Sequence, residues 1–539
     1  MVEAKPSNPN ITSVTDLNSD PIHPTQINGK PIPAALHGKR ILNSYEDFDK
    51  TAGAWSNRKK WTLLTVVALC QTSMNFNAAI YSNAVEPLNE YFGISNARMG
   101  MVAFLVPYAF GCELWAPLSE ELGRWSVMQT SLLGVNASIL ICALSPTFGG
   151  VTAGRVIGGL SSAGGSVTMG MVADMFDADS QQHAVLWASL WSCLGAVIGS
   201  ISGGPVQQYL SWRWNFWIQL GFSVVTQAVH FFVAKETRAT NMLDKAAERA
   251  RKRGEDEVYG PNEVVTWGKK WHQRLTKEQL KEAIQVMLRP YYMLFTEPIV
   301  GLLSLLSGFA DALIFSFFES YGYVFKQWDF SPTQISLALF PLAGSYVLAY
   351  FSFFPVVARH ARQRRSGKTL EPESRLWWLL FQVILLPLGL LGSAFVASGP
   401  PLHWSGIIVF SVLIGMANFS IYYATIDYMV ASYGEYSASA TGGNGFARDF
   451  LAGMCALYTG KMYKNLGIRN SQLVLFGLAA VLCVPVWIFY WHGSWLREKS
   501  RFAAELNSKK EGKVNEKNTA IQQDRERRIL AQSADSRDV

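Results

Sequence analysis

The stretch "APLSEELGRWSVM", residues 116–128, separates two long apolar runs and contains the features from which the fold is inferred. Pro117 and Gly123 are residues that interrupt helices, so the stretch predicts a tight turn between two helices. Glu120 and Arg124 place opposite charges in this turn, where they can pair with helix ends or with another part of the chain. Taken alone, the stretch is also compatible with an ordinary solvated hairpin, so its surroundings have to decide between the two interpretations.

The composition around this turn is that of a membrane protein. Of the 539 residues, 49% are hydrophobic and 16% are charged, whereas a soluble protein carries about 25% charged residues. The charges concentrate in 1–60, 235–289, 359–375 and the residues after 497. The remaining apolar segments have the length of about 20 residues that a helix needs to cross a bilayer. The twelve predicted spans are 61–82, 98–118, 126–146, 149–173, 184–209, 213–234, 297–325, 334–357, 376–397, 404–428, 438–460 and 471–492.

The charged stretches divide the spans into two sets of six. We expect a disordered cytosolic arm over 1–60, an N-terminal six-helix bundle over 61–234, a cytosolic linker over 235–296, a C-terminal six-helix bundle over 297–492 and a charged cytosolic tail over 493–539. Basic clusters such as "ARKRGEDE" and "RHARQRRSGK" follow even-numbered spans, and the loops on the other side, apart from "GKMYKNLGIRN", carry little positive charge. Because basic loops stay on the cytosolic side, both termini are predicted to be cytosolic.

Two sets of six spans are typical of a transporter with its site at the midplane, but a channel or a membrane enzyme can have the same composition. The stretch 116–128 distinguishes these classes, because it resembles the signature loop of the major facilitator superfamily in the form found in fungal drug:proton antiporters. In this resemblance Glu120 takes the acidic position and Arg124 the first basic one. Ala116 stands where the family often has Gly, and Trp125 stands where a second basic residue is common.

The resemblance extends over nearly all of residues 61–491. The stretches that carry it are "GRVIGGLSSAGGSVTMGMVADMF" (154–176), "WRWNFWIQL" (212–220), "LFTEPIV" (294–300), "FFESYGYVF" (317–325), "PESRL" (372–376) and "YGEYSASATGGNGFARDF" (433–450). The resemblance implies an all-α membrane protein, with twelve transmembrane helices in two six-helix bundles that form the major facilitator fold.

The fifth predicted span contains the glycine-rich stretch "GAVIGSISGGPV". It resembles the antiporter signature G-x-x-x-G-P-x-x-G-G, which is matched at Gly195, Gly199, Gly203 and Gly204, while Ser200 occupies the position of the proline. The family assigns this motif to exporters. Glycines at this spacing also let helices pack closely whatever the direction of transport, so a purely structural role stays open.

Five ionisable residues deep in the predicted spans are candidates for proton coupling or gating, because charge in hydrocarbon is costly and often functional. They are Glu113, Arg155, Asp311, Arg448 and Asp449. Each has a structural alternative. Arg155 can be held by neighbouring carbonyl groups, and Glu113 can either gate together with the signature loop or pair with a nearby base. Asp311, about midway along the seventh span, is the first candidate partner of Arg448.

Arg448 and Asp449 are adjacent within "TGGNGFARDFLAG" (441–453). On a helix, adjacent side chains point about 100° apart, so each of the two is expected to need a partner elsewhere. In an alternating-access transporter such partners can differ between states, which makes the two residues a candidate switch. A static buried pair is the alternative. His230, near the cytosolic end of the sixth span, is expected to snorkel towards the membrane surface rather than relay protons.

We therefore predict a secondary active transporter that exports a small organic or amphiphilic compound (a drug, toxin or secondary metabolite) by proton-coupled alternating access. The alternatives are a proton-coupled importer of a nutrient or polyamine, and a non-transporting membrane sensor on the same fold. The sequence contains no P-loop, no zinc-type histidine cluster and no G-x-S-x-G stretch, so we expect no enzyme, cofactor or metal site. The expected partners are a small-molecule substrate, protons and the lipid bilayer, without nucleic acid. We expect a monomer in the plasma membrane, although a vacuolar or other organelle membrane is compatible with the sequence.

Overall fold

The computed structural model describes residues 26–27, 30–31, 33, 36, 39–44, 46–162, 164–177, 180–255, 257–265, 277–368, 370–500 and 502. Three expectations fall partly outside these residues. They are the disorder of 1–25, the linker over 266–276, and the charged tail at 501 and 503–539.

The described part of the chain is almost entirely helical. The helices are α1 (Asn57–Ile80), α2 (Val85–Phe92), α3 (Met99–Glu121), α4 (Arg124–Leu144), α5 (Phe148–Ser161), α6 (Gly164–Met175), α7 (Gln181–Tyr209), α8 (Arg213–Val233), α9 (Ala239–Lys252), α10 (Pro261–Val265), α11 (Lys277–Thr296), α12 (Pro298–Phe325), α13 (Pro332–Leu337), α14 (Phe340–Arg365), α15 (Leu379–Gln382), α16 (Leu385–Val396), α17 (Ser405–Tyr433) and α18 (Ser437–Lys499). Short 3-10 helices cover Phe48–Lys50, Ala52–Ala54, Tyr81–Ala84, Lys326–Trp328, Pro372–Leu376 and Gly434–Tyr436. Four two-residue strands form two pairs, β1 (Gln26–Ile27) antiparallel to β2 (Lys30–Pro31), and β3 (Arg40–Ile41) parallel to β4 (Val258–Tyr259).

The helices account for all twelve predicted spans. Among the described residues, ten helical segments are long and apolar enough to cross a membrane. The fourth predicted span is missing from these ten because it is divided at Ser162, which has an extended backbone, into α5 and α6. The last segment, α18, contains the eleventh and twelfth spans, and Gly467 breaks it between them with a φ of 74° that favours glycine. The predicted fold class of twelve transmembrane helices is confirmed.

The helices pack as two bundles. In the first half, α1 packs against α7 and α8, while α5 packs against α3 and α4. In the second half, α12 packs against α18, and α17 packs against α14 and α16. The two halves meet where α3 lies against α18 and where α7 lies against α13, α14 and α17. Residues from both halves therefore face one another along a seam through the middle of the molecule.

The glycines of the fifth span allow close backbone approach. A Cβ atom on Gly195 or Gly199 would lie 2.6 Å from a carbonyl oxygen of α1, which leaves no room for a side chain. Gly203 lies against the side chain of Asn83. Gly204 differs, because it faces the second half, where its Cβ would lie 2.7 Å from the carbonyl oxygen of Pro332. The motif thus packs α7 onto its own bundle and also onto the opposite one.

Residues 39–44 and 46–55 are folded, in contrast to the disorder expected for the whole of 1–60. The strand β3 pairs with β4 of the linker, and Leu42 is buried against Leu243, Ala247 and Val258. The buried carboxylate of Asp47 accepts hydrogen bonds from Arg40 at 3.1 Å and Lys50 at 2.7 Å. Residues of this segment therefore form a small apolar core and ion pairs around a buried carboxylate. The polar composition of the segment does not predict either feature.

Candidate functional site

The centre of the seam between the bundles contains a cation between two carboxylates. The Nε atom of Arg448, on α18, lies 3.7 Å from Oδ2 of Asp311 on α12, and its Nη2 atom lies 3.7 Å from Oδ1 of Asp449. Adjacent side chains were expected to point apart, but the long side chain of Arg448 reaches Asp449 as well as Asp311. Both distances exceed hydrogen-bond length, so these contacts are electrostatic and leave each carboxylate able to bind another group.

An aromatic and amide cluster connects this cation to the first bundle. The guanidinium carbon of Arg448 lies 4.2 Å from the centre of the Tyr422 ring on α17. The Tyr422 hydroxyl donates to Oγ of Ser192 on α7 at 3.4 Å. The amide groups of Gln71 and Asn75, both on α1, also donate to Ser192, at 3.3 and 3.2 Å. A polar path therefore crosses the seam from α1 and α7 to the arginine on α18.

An aromatic wall continues from Ser192 along α7. The rings of Trp187 and Trp191 have centroids 5.6 Å apart, and Trp187 lies 6.2 Å from Tyr350 on α14. The Asp311 side chain keeps 25% of its surface exposed although it lies midway along α12. The carboxylate of Asp311 therefore has space for water or a small molecule beside it.

Glu113, on α3, is the third carboxylate of the seam. It is buried against Gly442 of α18, where an added Cβ would lie 2.8 Å from both carboxylate oxygens. Its charge interacts with that of Asp449. The carboxylate therefore faces α18 of the second bundle. Among the described residues no basic group lies within ion-pair distance of Glu113.

Arg155 lies apart from the seam, inside the first bundle. Only 2% of it is exposed, and its Nε atom donates to the carbonyl oxygen of Gly100 at 3.1 Å. Its Nη1 atom donates to both oxygens of Asn77 at 3.0 Å, and its guanidinium carbon lies 4.2 Å from the Phe104 ring centre. These are the contacts of the structural alternative, in which neighbouring carbonyl groups hold the charge.

The signature loop is fastened to the first bundle. The Arg124 backbone N–H donates to Glu236 at 2.9 Å, and its side-chain Nε donates to Asp174 at 3.1 Å. The ion pair with Glu120 is longer, at 3.9 Å, and half exposed. Gly123 ends the turn with a φ of 93°, a conformation that glycine adopts readily. The described contacts of the arginine therefore stay within the first bundle and the start of the linker, and none reaches the second bundle.

Two details of this loop differ from expectation. Pro117 does not interrupt the helix, because α3 continues to Glu121, as membrane helices tolerate an internal proline. The roles of Asp174 and Glu236 were not predicted from the sequence. Each follows an apolar segment at the end that carries the linker, and an acidic residue at that position was the available signal.

The two bundles touch at both ends of the molecule. At the end that carries the linker, Gln182 of α7 donates to Asp427 of α17 at 2.7 Å and accepts from Arg364 of α14 at 3.1 Å. We call Gln182, Asp427 and Arg364 the linker-end latch. At the opposite end, Nη1 of Arg98 lies 2.8 Å from Oε1 of Glu319 on α12, and this pair is called the opposite-end latch. No role was predicted for these residues from the sequence.

His230 does not snorkel. None of its surface is exposed, and its Nδ1 atom lies 2.6 Å from the amide nitrogen of Gln129 on α4. The face of α8 on which it lies packs against α4 and α1, so the ring is buried in the first bundle instead of reaching the membrane surface.

Comparisons with known proteins agree with this architecture. The family description that matches, over residues 67–457, is that of the Major Facilitator Superfamily. The transporter paaT of Penicillium rubens is 28% identical, with coverage of 88% of this chain and 86% of its own. The efflux pump FUB11 of Gibberella moniliformis is 28% identical, with coverage of 86% and 78%. The multidrug transporter FLR1 of Candida glabrata is 28% identical, with coverage of 83% and 81%.

A solved structure supports the fold alone. The crystal structure of the human organic anion transporter MFSD10 (TETRAN) matches with a TM-score of 0.54 at 16% identity, over 79% of this chain and 99% of that one.

Proposed function

Because the chain belongs to the Major Facilitator Superfamily and is a multi-pass membrane transporter rather than an enzyme, we propose that it exports a small organic compound in exchange for protons. The observation that carries this proposal is the placement of Arg448 between Asp311 and Asp449 at the seam of the bundles. Such a cluster can bind a proton at one carboxylate while the other carboxylate still balances the guanidinium.

Asp311 is the acid to which we assign the proton. An ionised partner stabilises a cation within the membrane, and Arg448 has two carboxylates at 3.7 Å. One of them can therefore take up a proton while the other still balances the guanidinium. Asp311 keeps access to internal space, whereas Asp449 is nearly buried. The exposed member of the pair is the one that can exchange protons with water in the cavity.

The movement of the two bundles during transport changes the surroundings of Asp311 through contacts between the bundles. Rigid-body rocking preserves contacts within a bundle and changes those between bundles. Asp311 and Arg448 both belong to the second bundle, so their pairing persists through the cycle. Glu113 and Ser192 belong to the first bundle and touch α18 and Tyr422 of α17, respectively. Rocking therefore changes the electrostatic surroundings of the cluster through these two residues.

The two latches serve as the gates of alternating access. Opening the linker end requires Gln182 to leave Asp427 and Arg364, and opening the other end requires Arg98 to leave Glu319. One latch holds while the other separates, so the central site is open to one side at a time. In this proposal the moving units are residues 61–234 and 297–492, joined by the linker over 235–296.

The direction of transport and the orientation of the chain in the membrane are proposed from the relatives and from the sequence. Two relatives are named an efflux pump and a multidrug transporter, and the glycines of α7 match the exporter motif at four positions. The basic clusters lie at the linker end, and on this basis we propose that this end and both termini are cytosolic. We propose a monomer in the plasma membrane, with drugs, toxins or secondary metabolites as the substrate class.

The test is a flux measurement in inside-out vesicles whose lumen is acidic. Uptake of members of a panel of radiolabelled drugs and metabolites is expected to depend on the pH gradient and to stop when a protonophore is added. Asp311→Asn should lose uphill accumulation but keep downhill exchange, because only the titratable proton is removed. Arg448→Ala should lose uphill accumulation as well. Accumulation by Asp311→Asn at the wild-type rate would remove Asp311 as the coupling acid and leave Glu113 or Asp449.

A further inference from the structure

We propose that helix α11 (Lys277–Thr296) lies in the headgroup layer of the bilayer at the linker end, with one apolar face of the helix in contact with lipid. This inference concerns the linker instead of the central site, and it does not depend on the direction or the coupling of transport. It depends on the position of α11 in the chain, on the side chains that it exposes and on the contacts of its opposite face.

The end of α11 lies at the boundary of the membrane. The helix ends at Thr296, Glu297 follows with an extended backbone, and the membrane-spanning helix α12 begins at Pro298. Consecutive Cα atoms are about 3.8 Å apart, so a helix that is joined to a span by one residue stays close to the bilayer surface. The packing of α11 against α12 and α18 also holds it beside the spans.

One face of α11 exposes four large apolar side chains, which we call the exposed stripe. They are Ile284, Leu288, Tyr292 and Phe295, with 46%, 57%, 46% and 83% of their surfaces exposed. Successive members are four, four and three residues apart, and this spacing places them on the same side of the helix. Exposed apolar side chains that are scattered singly are ordinary, but a contiguous group of them marks an interaction surface.

The opposite face of α11 packs against the protein. Pro290 and Met293, on the side of the helix away from the exposed stripe, are both buried. At the border between the two faces, the ring centre of Tyr291 lies 4.9 Å from that of Phe446 on α18 and 6.3 Å from that of Phe110 on α3. The buried face therefore fixes the orientation of α11, and the exposed stripe points away from both bundles.

The composition of the exposed stripe and its border suits a lipid surface. Helices at the membrane interface combine an apolar face with basic residues and enter about 5–10 Å into the boundary between headgroups and acyl chains. Tyr292 has an aromatic ring with a polar tip, which this boundary favours. Lys281 is exposed and lies seven residues before Leu288, on the same side of the helix. Its ammonium group can reach lipid phosphates while its methylene groups lie along the apolar surface.

This placement connects the lipid surface to the seam. The helix α11 packs against α12 and α18 of the second bundle and against α3 of the first. Phe110 and Phe446 also contact each other, with ring centres 5.1 Å apart, so Tyr291 completes an aromatic cluster that includes both bundles. When the bundles separate at the linker end, α11 stays with the second bundle and the lipid, and Tyr291 leaves Phe110.

The test is spin labelling of the purified full-length protein in nanodiscs of phosphatidylcholine and phosphatidylserine. A nitroxide is attached to Leu288→Cys or to Phe295→Cys, and its collisions with oxygen, which concentrates in lipid, and with a water-soluble nickel chelate are measured. Both labels are expected to collide more with oxygen than with the chelate. The control is Glu248→Cys on the exposed face of α9, where the chelate should dominate. The unsubstituted protein gives the background, since its cysteines are buried or half-buried.

A second set of variants tests whether the exposed stripe holds the helix in lipid. The label is attached to Ile284→Cys, and Leu288→Glu and Phe295→Glu are introduced together. Because a carboxylate disfavours lipid, the collisions of this label should shift from oxygen towards the chelate. Gln285→Glu is the matched control, since Gln285 is already exposed and polar, and it should cause no shift.

Three results would overturn the inference. More collisions with the chelate than with oxygen at Leu288→Cys and Phe295→Cys would place the exposed stripe in water. Few collisions with either reagent would show that another segment of this chain or a second copy covers the stripe. A label at Ile284→Cys that the two glutamates leave unchanged would show that the stripe does not hold α11 in lipid.

Discussion

Removing the cation of the seam should destabilise the protein more than removing the cation together with its partner. In Arg448→Met the carboxylates of Asp311 and Asp449 lose a guanidinium that lies 3.7 Å from each. Two unit charges at that distance interact by about 4.5 kcal/mol at an effective dielectric constant of about 20. Desolvation offsets part of this attraction, and breaking a buried pair on one side typically costs about 3–5 kcal/mol. Arg448→Met is therefore expected to lower the melting temperature strongly.

The double variant Arg448→Met with Asp311→Asn should recover part of this loss, because it no longer buries two uncompensated carboxylates. The assay is thermal unfolding of the purified protein in detergent, followed by the loss of the monodisperse peak in size-exclusion chromatography. Glu248→Gln is the control, since its carboxylate is exposed and its ion pair within the described ranges is with Lys252. The electrostatic argument for this cluster is wrong if Arg448→Met is as stable as the wild type. It is also wrong if the double variant is less stable than both single variants.

Three further predictions concern the ends of the molecule. A cysteine introduced at Arg253 should react with impermeant reagents only after permeabilisation, whereas one at Ser398 should react in intact cells; external labelling at Arg253 would reverse the orientation. Asp174→Ala should reduce transport more than Glu120→Ala at similar expression, because the Arg124 contact with Asp174 is shorter and buried; equal effects would contradict this ranking. Leu42→Asp should release the arm from the linker and speed limited proteolysis there, since burial of a leucine contributes about 2–3 kcal/mol; unchanged cleavage would show that this packing contributes little.

The positions of the membrane spans could be predicted from sequence because they depend on local composition. An apolar run of bilayer length forms a helix in lipid whatever its neighbours are. Two features within the runs were less evident. The fourth span is divided at Ser162 because the backbone is extended there, in a run of small residues. Helix α3 continues through Pro117 instead of ending at it. Both depend on packing around the helix, which hydropathy does not measure.

Part of the central cluster could also be predicted from the sequence. Asp311 and Arg448 lie at similar depths in their spans, and a buried charge requires a partner, so their proximity could be expected from the sequence. The contact of Glu113 with Gly442 could not be expected from the sequence, because it depends on how one bundle packs against the other. The linker-end latch likewise joins Gln182 to residues far along the chain, and a neutral amide gives no electrostatic signal of its partner.

The sequence by itself determined the class of molecule, the number of spans, the glycines that pack α7 and the residues whose burial had to be compensated. These properties follow from local hydropathy, residue size and the cost of charge in hydrocarbon. Only the tertiary structure decided which partners provide that compensation. Arg155 is held by carbonyl groups, Arg124 by Asp174, and Arg448 by two carboxylates beside an aromatic wall. The physical reason is that a hydrogen bond or ion pair requires atoms within about 4 Å, and such distances arise only when helices distant in sequence pack together.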